Sequence, residues 1–195
     1  QMRSALADIG KNMAEGMKAI GRNAFPGMPD GDSDDEPAAP RPQVPQITMA
    51  ETYDAGTFTV QVVGAKIGPT RLRDFRAETF DSDSAYLQVA VLFRNKDERK
   101  SLRFSGDKGF NIPRFQMRDD VDNIVRPVGF GISTKVVGAI PDMEELNPEE
   151  SLQHIQVFEV PLPKTKSLTL TIDLECFDGE GELKVEIPYE AVEKP

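Results

Sequence analysis

The chain has few of the residues on which many active sites depend. Its 195 residues include one cysteine, one histidine and no tryptophan. The lone Cys176 excludes an internal disulfide, and the lone His154 excludes a site with several histidine ligands. No G-x-S-x-G, P-loop, H-E-x-x-H or dinucleotide-binding motif occurs. The sequence therefore predicts no enzyme, and no catalytic, cofactor-binding or metal-binding residue.

The chain also lacks an excess of positive charge and a long hydrophobic run. Its net charge is -10, from 33 acidic and 23 basic residues, which repels phosphate backbones and argues against a nucleic-acid partner. No run of about 18 apolar residues is present, so the sequence predicts no membrane-spanning segment. The chain begins at Gln1 rather than Met, and we expect that a signal or an anchor preceded it.

Three segments of different composition follow one another. Residues 1–24 predict an amphipathic helix, because apolar side chains recur along one face from Leu6 to Ile20. This helix could dock on its own domain, pair with another helix, or lie on a membrane surface through residues 4–24. Residues 25–46 are rich in proline and acidic side chains, which predicts a semi-rigid linker. Residues 47–195 are the predicted β-sandwich domain.

The clearest pattern in that domain lies between Leu168 and Tyr189. Apolar residues occupy alternate positions from Leu168 to Cys176 and from Leu183 to Tyr189, on either side of a turn sequence at residues 177–181. Alternation on both sides of an Asp-Gly turn predicts an antiparallel hairpin with one buried face. Cys176 falls on that face, where it is predicted to be a small buried hydrophobe.

Several further strands are predicted from the same kind of pattern. The alternation that starts at Phe58 slips by one residue at Val63, which indicates a β-bulge. Tyr86–Phe93 is apolar at almost every position, which is typical of a central strand. Other expected strands are Ser101–Phe104, Phe115–Met117 with Ile124–Val125 as a second hairpin, Val128–Ile132 and Leu152–Val160. About seven to nine short strands indicate an all-β, immunoglobulin-like antiparallel β-sandwich.

Three stretches of the domain are similar to one known family. Tyr86–Asn95, Leu146–Glu150 and Val157–Pro161 resemble motifs of immunoglobulin-like β-sandwich domains of unknown function, found in bacterial lipoproteins and membrane-tethered exported proteins. In that family a strand that ends in Asn is followed much later by a Pro-Gly-Glu turn and by a strand that ends in Phe-Glu-Val-Pro. This chain departs from that pattern, since Glu149 directly follows Pro148 without a Gly. The resemblance implies an extracytoplasmic or membrane-associated protein and transfers no catalytic residue.

These observations predict a non-enzymatic binding or scaffolding domain. Its expected partner is a protein or a second copy of the chain, and no small-molecule substrate is evident. One alternative is a carboxylate-dependent hydrolase or carbohydrate-active sandwich that uses acids such as Glu149, Glu159 or Asp173. The other alternative is a self-assembly module that acts through the N-terminal helix.

Four charged or polar features remain as candidate sites. The two acidic segments Asp81–Ser84 and Asp119–Asn123 could share a calcium ion, although solvated turns are the more common use of such residues. A basic strip could attract an anionic partner or protect a sheet edge; it comprises Arg71, Arg73 and Arg76, then Arg94, Lys96, Arg99 and Lys100. His154 is expected on a strand, either packed or at the surface, rather than as a general base.

Overall fold

The computed structural model describes residues 43–106 and 113–195. The predicted helix and residues 25–42 of the predicted linker lie outside these ranges. Within the described residues the chain forms twelve strands and two short 3₁₀ turns, Leu174–Phe177 and Tyr189–Ala191. The strands are β1 (Gln46–Thr48), β2 (Thr52–Asp54), β3 (Phe58–Arg73), β4 (Thr79–Asn95), β5 (Leu102–Arg103), β6 (Phe115–Asp119), β7 (Ile124–Val125), β8 (Lys135–Val136), β9 (Glu145–Leu146), β10 (Ser151–Phe158), β11 (Ser167–Asp173) and β12 (Glu182–Pro188).

Two main sheets form the sandwich. One has the strand order β1-β12-β11-β6-β7, and the other has the order β10-β4-β3-β2, with β8 also pairing with β3. All pairings within the two sheets are antiparallel except that of β1 with β12. The short strands β5 and β9 pair separately. The prediction of an all-β antiparallel sandwich is confirmed, and four of the twelve strands are only two residues long, which is why the predicted number was lower.

The core lies between the two sheets, and Phe93 of β4 is near its centre. Its ring lies 5.0 Å from that of Phe177 and 6.4 Å from that of Phe115, measured between ring centroids. Phe58 and Phe104 pack on the same ring at similar distances. Alternate residues of the long strands supply this layer because successive side chains of a strand point to opposite faces.

The last hairpin is confirmed, but its first strand is shorter than the sequence predicts. Strand β11 ends at Asp173, whose carboxylate accepts the backbone N–H of Glu175 and starts a 3₁₀ turn. Cys176 is buried as expected, although it reaches the core from this turn rather than from a strand. A short side chain that hydrogen-bonds to the backbone competes with the hydrogen bonds between strands. The alternating sequence pattern therefore continues beyond Asp173, where the strand ends.

The predicted bulge in β3 is also confirmed. The register between β3 and β4 shifts between Val62 and Gly64, and it shifts again between Pro69 and Arg71. The expected strand at Val128–Ile132 is wrong, since these residues form no strand. Gly131 adopts a left-handed conformation with φ of 83°, which a strand does not accommodate, and Phe130 packs edge-on against Tyr86 instead.

Two of the three motif segments of the family resemblance meet in the fold. Asn95, at the end of β4, is fully buried. Its side-chain amide donates to the carbonyl oxygens of Leu146 and Asn147 at 3.1 and 3.2 Å, and to that of Lys100 at 2.8 Å. The asparagine therefore joins three chain segments, which gives the motif a structural purpose.

Strands β3 and β4 continue past β2 and β10 as a long ribbon, and the short strand β8 pairs with β3 near its end. Strand β10 pairs with β4 only from Leu87 to Arg94, whereas β3 and β4 stay paired as far as Arg73 and Thr79. We call residues 68–86 the ribbon. The sequence did not predict it, because Gly68 and Pro69 are poor strand residues and residues 81–84 look like a loop.

Candidate functional site

A groove of about 630 Å³ lies beside the ribbon. Arg73 of β3 lines one side, and the segment from Lys135 to Asp142 lines the rest. Between those two ends the segment is uncharged and mostly apolar, with the sequence Val-Val-Gly-Ala-Ile-Pro. The groove thus combines an apolar wall with charged groups at its margins, which is the usual composition of a ligand site.

Backbone hydrogen bonds hold this wall against two strands. The N–H of Val137 donates to the carbonyl of Arg71, and the N–H of Ile155 in β10 donates to the carbonyl of Gly138. Gly138 has a φ of 88°, and a Cβ atom there would lie 2.9 Å from Cγ1 of Ile155. Only glycine combines this conformation with such a close approach. These contacts therefore hold the wall in a fixed position on the sandwich.

Two cations face each other at the rim of the groove. Arg73 and Lys135 are direct partners across the antiparallel pair of β3 and β8, so their side chains project from the same face of the sheet. Both are exposed, and neither forms an ion pair with another described residue. Like charges directly opposite each other are unfavourable. An anionic group bound between them would remove that repulsion.

The neighbouring charges are already engaged. Arg71 forms an ion pair with Asp81 at 3.3 Å. Asp142, at the other end of the groove, accepts the N–H of Gly106 at 3.1 Å. Asp142 keeps its negative charge at that end of the groove, and Arg73 and Lys135 are the two cations among the lining residues.

His154 supports the groove wall from inside the core. The side chain is 6% exposed, and its ring stacks on that of Phe115 with centroids 4.9 Å apart. Its Nδ1 atom accepts the N–H of Ile140 at 3.0 Å, which leaves Nε2 to donate to Oε1 of Gln156 at 3.2 Å. Burial lowers the pKa of His154 to about 4. A neutral imidazole with both nitrogens bonded fixes the position of the wall and is unsuited to general-base chemistry.

Cys176 is equally withdrawn from solvent. Its side chain is fully buried, and burial raises the pKa of the thiol to about 12. The thiolate is the reactive form of cysteine. At neutral pH this residue is therefore a core side chain.

The carboxylates of the hydrolase alternative do not form one pair. Glu149 precedes β10 and Glu159 follows it, and a strand of that length spans roughly 25 Å. Paired acids of glycosidases are about 5 to 10 Å apart. Asp173 is buried and forms an ion pair with Arg114 at 3.0 Å. The geometry thus separates two of the acids and gives the third a cationic partner.

The acidic segments also have structural partners. Residues 81–84 lie in β4 rather than in a loop. Asp119 accepts hydrogen bonds from the Asn123 side chain and from the backbone N–H groups of Val121 and Asn123. These bonds, led by that of the Asn123 side chain, lower the pKa of Asp119. Across residues 43–106 and 113–195, no three His, Cys, Asp or Glu side chains gather in a way that could hold a metal.

The basic residues that look like one strip in the sequence form two separate groups. Arg71, Arg73 and Arg76 lie at the ribbon, while Arg94 and the residues that follow it lie at the opposite end of β4. A strand of 17 residues spans roughly 50 Å. The sequence did not reveal that Lys135 joins the first group, because only the pairing of β8 with β3 brings it there.

Comparison with known proteins finds solved structures of similar fold, but no matching family model and no curated protein that matches at a significant level. No helix in the described part of the chain has the length and hydrophobicity needed to cross a bilayer.

The solved structures that resemble the chain include the following two. One is the yjhA protein from Bacillus subtilis, 19% identical, with a TM-score of 0.49 and coverage of 72% of this chain and 98% of that one. The other is an uncharacterized beta-sandwich protein from Clostridium difficile 630, 10% identical, with a TM-score of 0.43 and coverage of 77% and 99%. These likenesses concern the fold of the sandwich and carry no function.

Proposed function

We propose that this chain is a non-enzymatic binding domain that holds a protein ligand in the groove beside the ribbon. The observation that carries the proposal is the pair of cations at the groove rim, Arg73 and Lys135, which face each other without an acidic partner among the described residues. A carboxylate of the ligand would bind the two cations at the rim, and a neighbouring apolar side chain of the ligand would pack on the apolar wall. The ligand is therefore an extended, acidic and partly apolar protein segment.

The state of the two most reactive side-chain types in the chain supports binding over catalysis. His154 is neutral and doubly hydrogen-bonded, and Cys176 is buried with a raised pKa. Each contributes to packing in the described structure. A rigid groove wall next to a ribbon is the kind of scaffold on which binding residues are commonly placed.

The cellular setting forms a separate part of the proposal. We place the domain in an exported or membrane-associated bacterial protein. The support is the resemblance of three sequence segments, which include Asn95 and the Leu146–Glu150 turn, to domains of lipoproteins and tethered exported proteins. In this setting residues 1–46 would set the reach and attachment of the sandwich.

The binding site can be tested with synthetic peptides of defined charge. The probes are two fluorescein-labelled octapeptides, one alternating Glu with Leu and one alternating Lys with Leu, titrated with the full chain by fluorescence anisotropy. We expect binding of the Glu-Leu peptide. The double variant Arg73→Gln with Lys135→Gln should weaken that binding at least tenfold, because the variant removes the groove's cations.

A matched control removes two other exposed lysines. Lys66→Gln with Lys184→Gln changes the net charge by the same amount at positions outside the groove, and it should change affinity less than twofold. Preference for the Lys-Leu peptide, or equal weakening in both double variants, would show that net charge rather than the groove controls binding and would overturn the proposal.

A further inference from the structure

The tip of the ribbon holds a large aromatic side chain in solvent. Phe75 is 75% exposed, in the turn that joins β3 to β4. Asp74 shapes this turn, since its carboxylate accepts the backbone N–H groups of Arg76 and Glu78 at 2.8 and 2.9 Å. The N–H of Asp74 also donates to the carbonyl of Glu78. A turn with this many internal hydrogen bonds presents Phe75 in a defined position.

A second exposed apolar side chain lies on the neighbouring loop. Arg73 pairs with Lys135 in antiparallel register, so the chain that precedes Lys135 runs beside the turn that follows Arg73. Ile132 is in that preceding stretch and is fully exposed. Ile132 and Phe75 are the two most exposed large hydrophobic residues in the described part of the chain. The register brings them to the same end of the molecule.

Three cations lie at this end of the ribbon. The guanidinium of Arg76 lies over the Phe75 ring, with its carbon 5.2 Å from the ring centroid. Arg73 and Lys135 stand immediately behind the turn. The turn also contains two acids, Asp74, which is engaged in the hydrogen bonds of the turn, and the exposed Glu78. Three cations against two acids leave this end of the ribbon with an excess of positive charge, in a chain whose net charge is -10.

We propose that this ribbon tip docks on an anionic lipid surface. Phe75 and Ile132 would enter the interfacial region of the bilayer, where apolar side chains leave water, and Arg73, Arg76 and Lys135 would contact acidic headgroups. Apolar insertion combined with attraction to anionic lipid is the known physical basis of interfacial binding. The proposal shares Arg73 and Lys135 with the peptide groove and adds three residues that do not line it, Phe75, Arg76 and Ile132.

The far end of β4 provides an internal comparison. It carries Arg94, Lys96, Arg99 and Lys100, yet no residue between 94 and 101 is an exposed large hydrophobic. Lys96 is also paired with Asp54 at 2.7 Å. Positive charge alone would favour either end, whereas charge combined with apolar side chains favours the ribbon tip.

The experiment uses the absence of tryptophan from the chain. In the Phe75→Trp variant of the 195-residue chain, the indole is the only tryptophan and reports its own surroundings. It is titrated with phosphatidylcholine vesicles that contain or lack phosphatidylglycerol. We expect a blue shift and quenching by brominated lipid with the anionic vesicles only, and reversal at high salt because screening weakens the attraction. The control Glu180→Trp, in the exposed acidic turn before β12, should show neither change.

Vesicle flotation then tests the side chains. The double variant Phe75→Ser with Ile132→Ser should weaken binding of the full chain to anionic vesicles at least tenfold. Val121→Ser with Ile124→Ser removes two other exposed apolar side chains and should leave binding within twofold. Peptide binding by the groove should persist in the Phe75 and Ile132 variant, so the two proposals fail separately.

Three results would overturn the lipid proposal. One is an unchanged emission spectrum of the Phe75→Trp variant with anionic vesicles, even if the chain floats, since flotation would then arise elsewhere, for example from residues 4–24. Another is an equal response to vesicles without phosphatidylglycerol. The third is an equal response of the Glu180→Trp control, which would show that binding does not use the ribbon tip.

Discussion

Acidification should destabilise this protein through His154. The imidazole is buried between the sheets, stacks on Phe115 and accepts a hydrogen bond from Ile140 through Nδ1. A protonated ring cannot accept that bond, and no charged side chain contributes to stabilising the cation. Folding therefore favours the neutral form.

The magnitude follows from the difference in pKa between the two states. The pKa of His154 is lowered from 6.5 to about 4 in the folded protein. Between those values the unfolded chain binds a proton that the folded chain does not, so the free energy of unfolding falls as the pH falls from about 6.5 towards about 4. At 1.36 kcal/mol per pKa unit, the loss over this window is about 3 kcal/mol.

Urea denaturation of the full chain at pH 7, 6, 5 and 4 measures this loss. The comparison variant is His154→Asn, whose side-chain oxygen can still accept the Ile140 N–H but which does not titrate. The variant is expected to be less stable at pH 7, because it loses the ring packing on Phe115. The stability advantage of the parent chain should then shrink by about 3 kcal/mol between pH 7 and pH 4.

The comparison separates His154 from the carboxylates. The pKa values of Asp54, Asp97 and Asp119 are lowered by their hydrogen bonds, so their contribution to stability is also lost on acidification. They titrate in both proteins and cancel in the difference. A difference that stays constant from pH 7 to pH 4 would refute the reasoning, since it would mean that the folded protein accommodates the imidazolium.

Three further predictions test the core. Phe93→Ala should lower the free energy of unfolding by about 3–5 kcal/mol, because the cavity opens at the centre of the aromatic cluster; a loss in urea denaturation no larger than that for exposed Val121→Ala would contradict this. Asn95→Ala should cost about 2 kcal/mol or more by the same assay, since buried carbonyl groups lose their donor, whereas exposed Asn123→Ala should cost less. Cys176 should react with a thiol reagent only at the rate of unfolding, and fast labelling of the native chain would disprove its burial.

Much of the local β-structure could be predicted from sequence patterns. Alternation predicted the β11–β12 hairpin, the one-residue slip predicted the bulge at Val63, and the apolar run at Tyr86–Phe93 predicted a central strand, which lies between β3 and β10. These patterns are readable because the two-residue period of a strand is a local property. The sequence pattern predicted strands wrongly where other interactions replaced the hydrogen bonds between strands. At Asp173 a side chain hydrogen-bonds to the backbone, and at Gly131 the backbone is left-handed.

The candidate site depends on contacts between distant parts of the chain. Arg73 and Lys135 become neighbours only when β8 pairs with β3, and His154 meets Ile140 only when the wall folds against β10. The ribbon exists because β3 and β4 support each other through residues that are weak strand formers alone. Such contacts depend on register and topology, which join residues far apart in the chain. No single stretch of sequence contains that information, so the groove and the ribbon tip are defined only once the strands have paired.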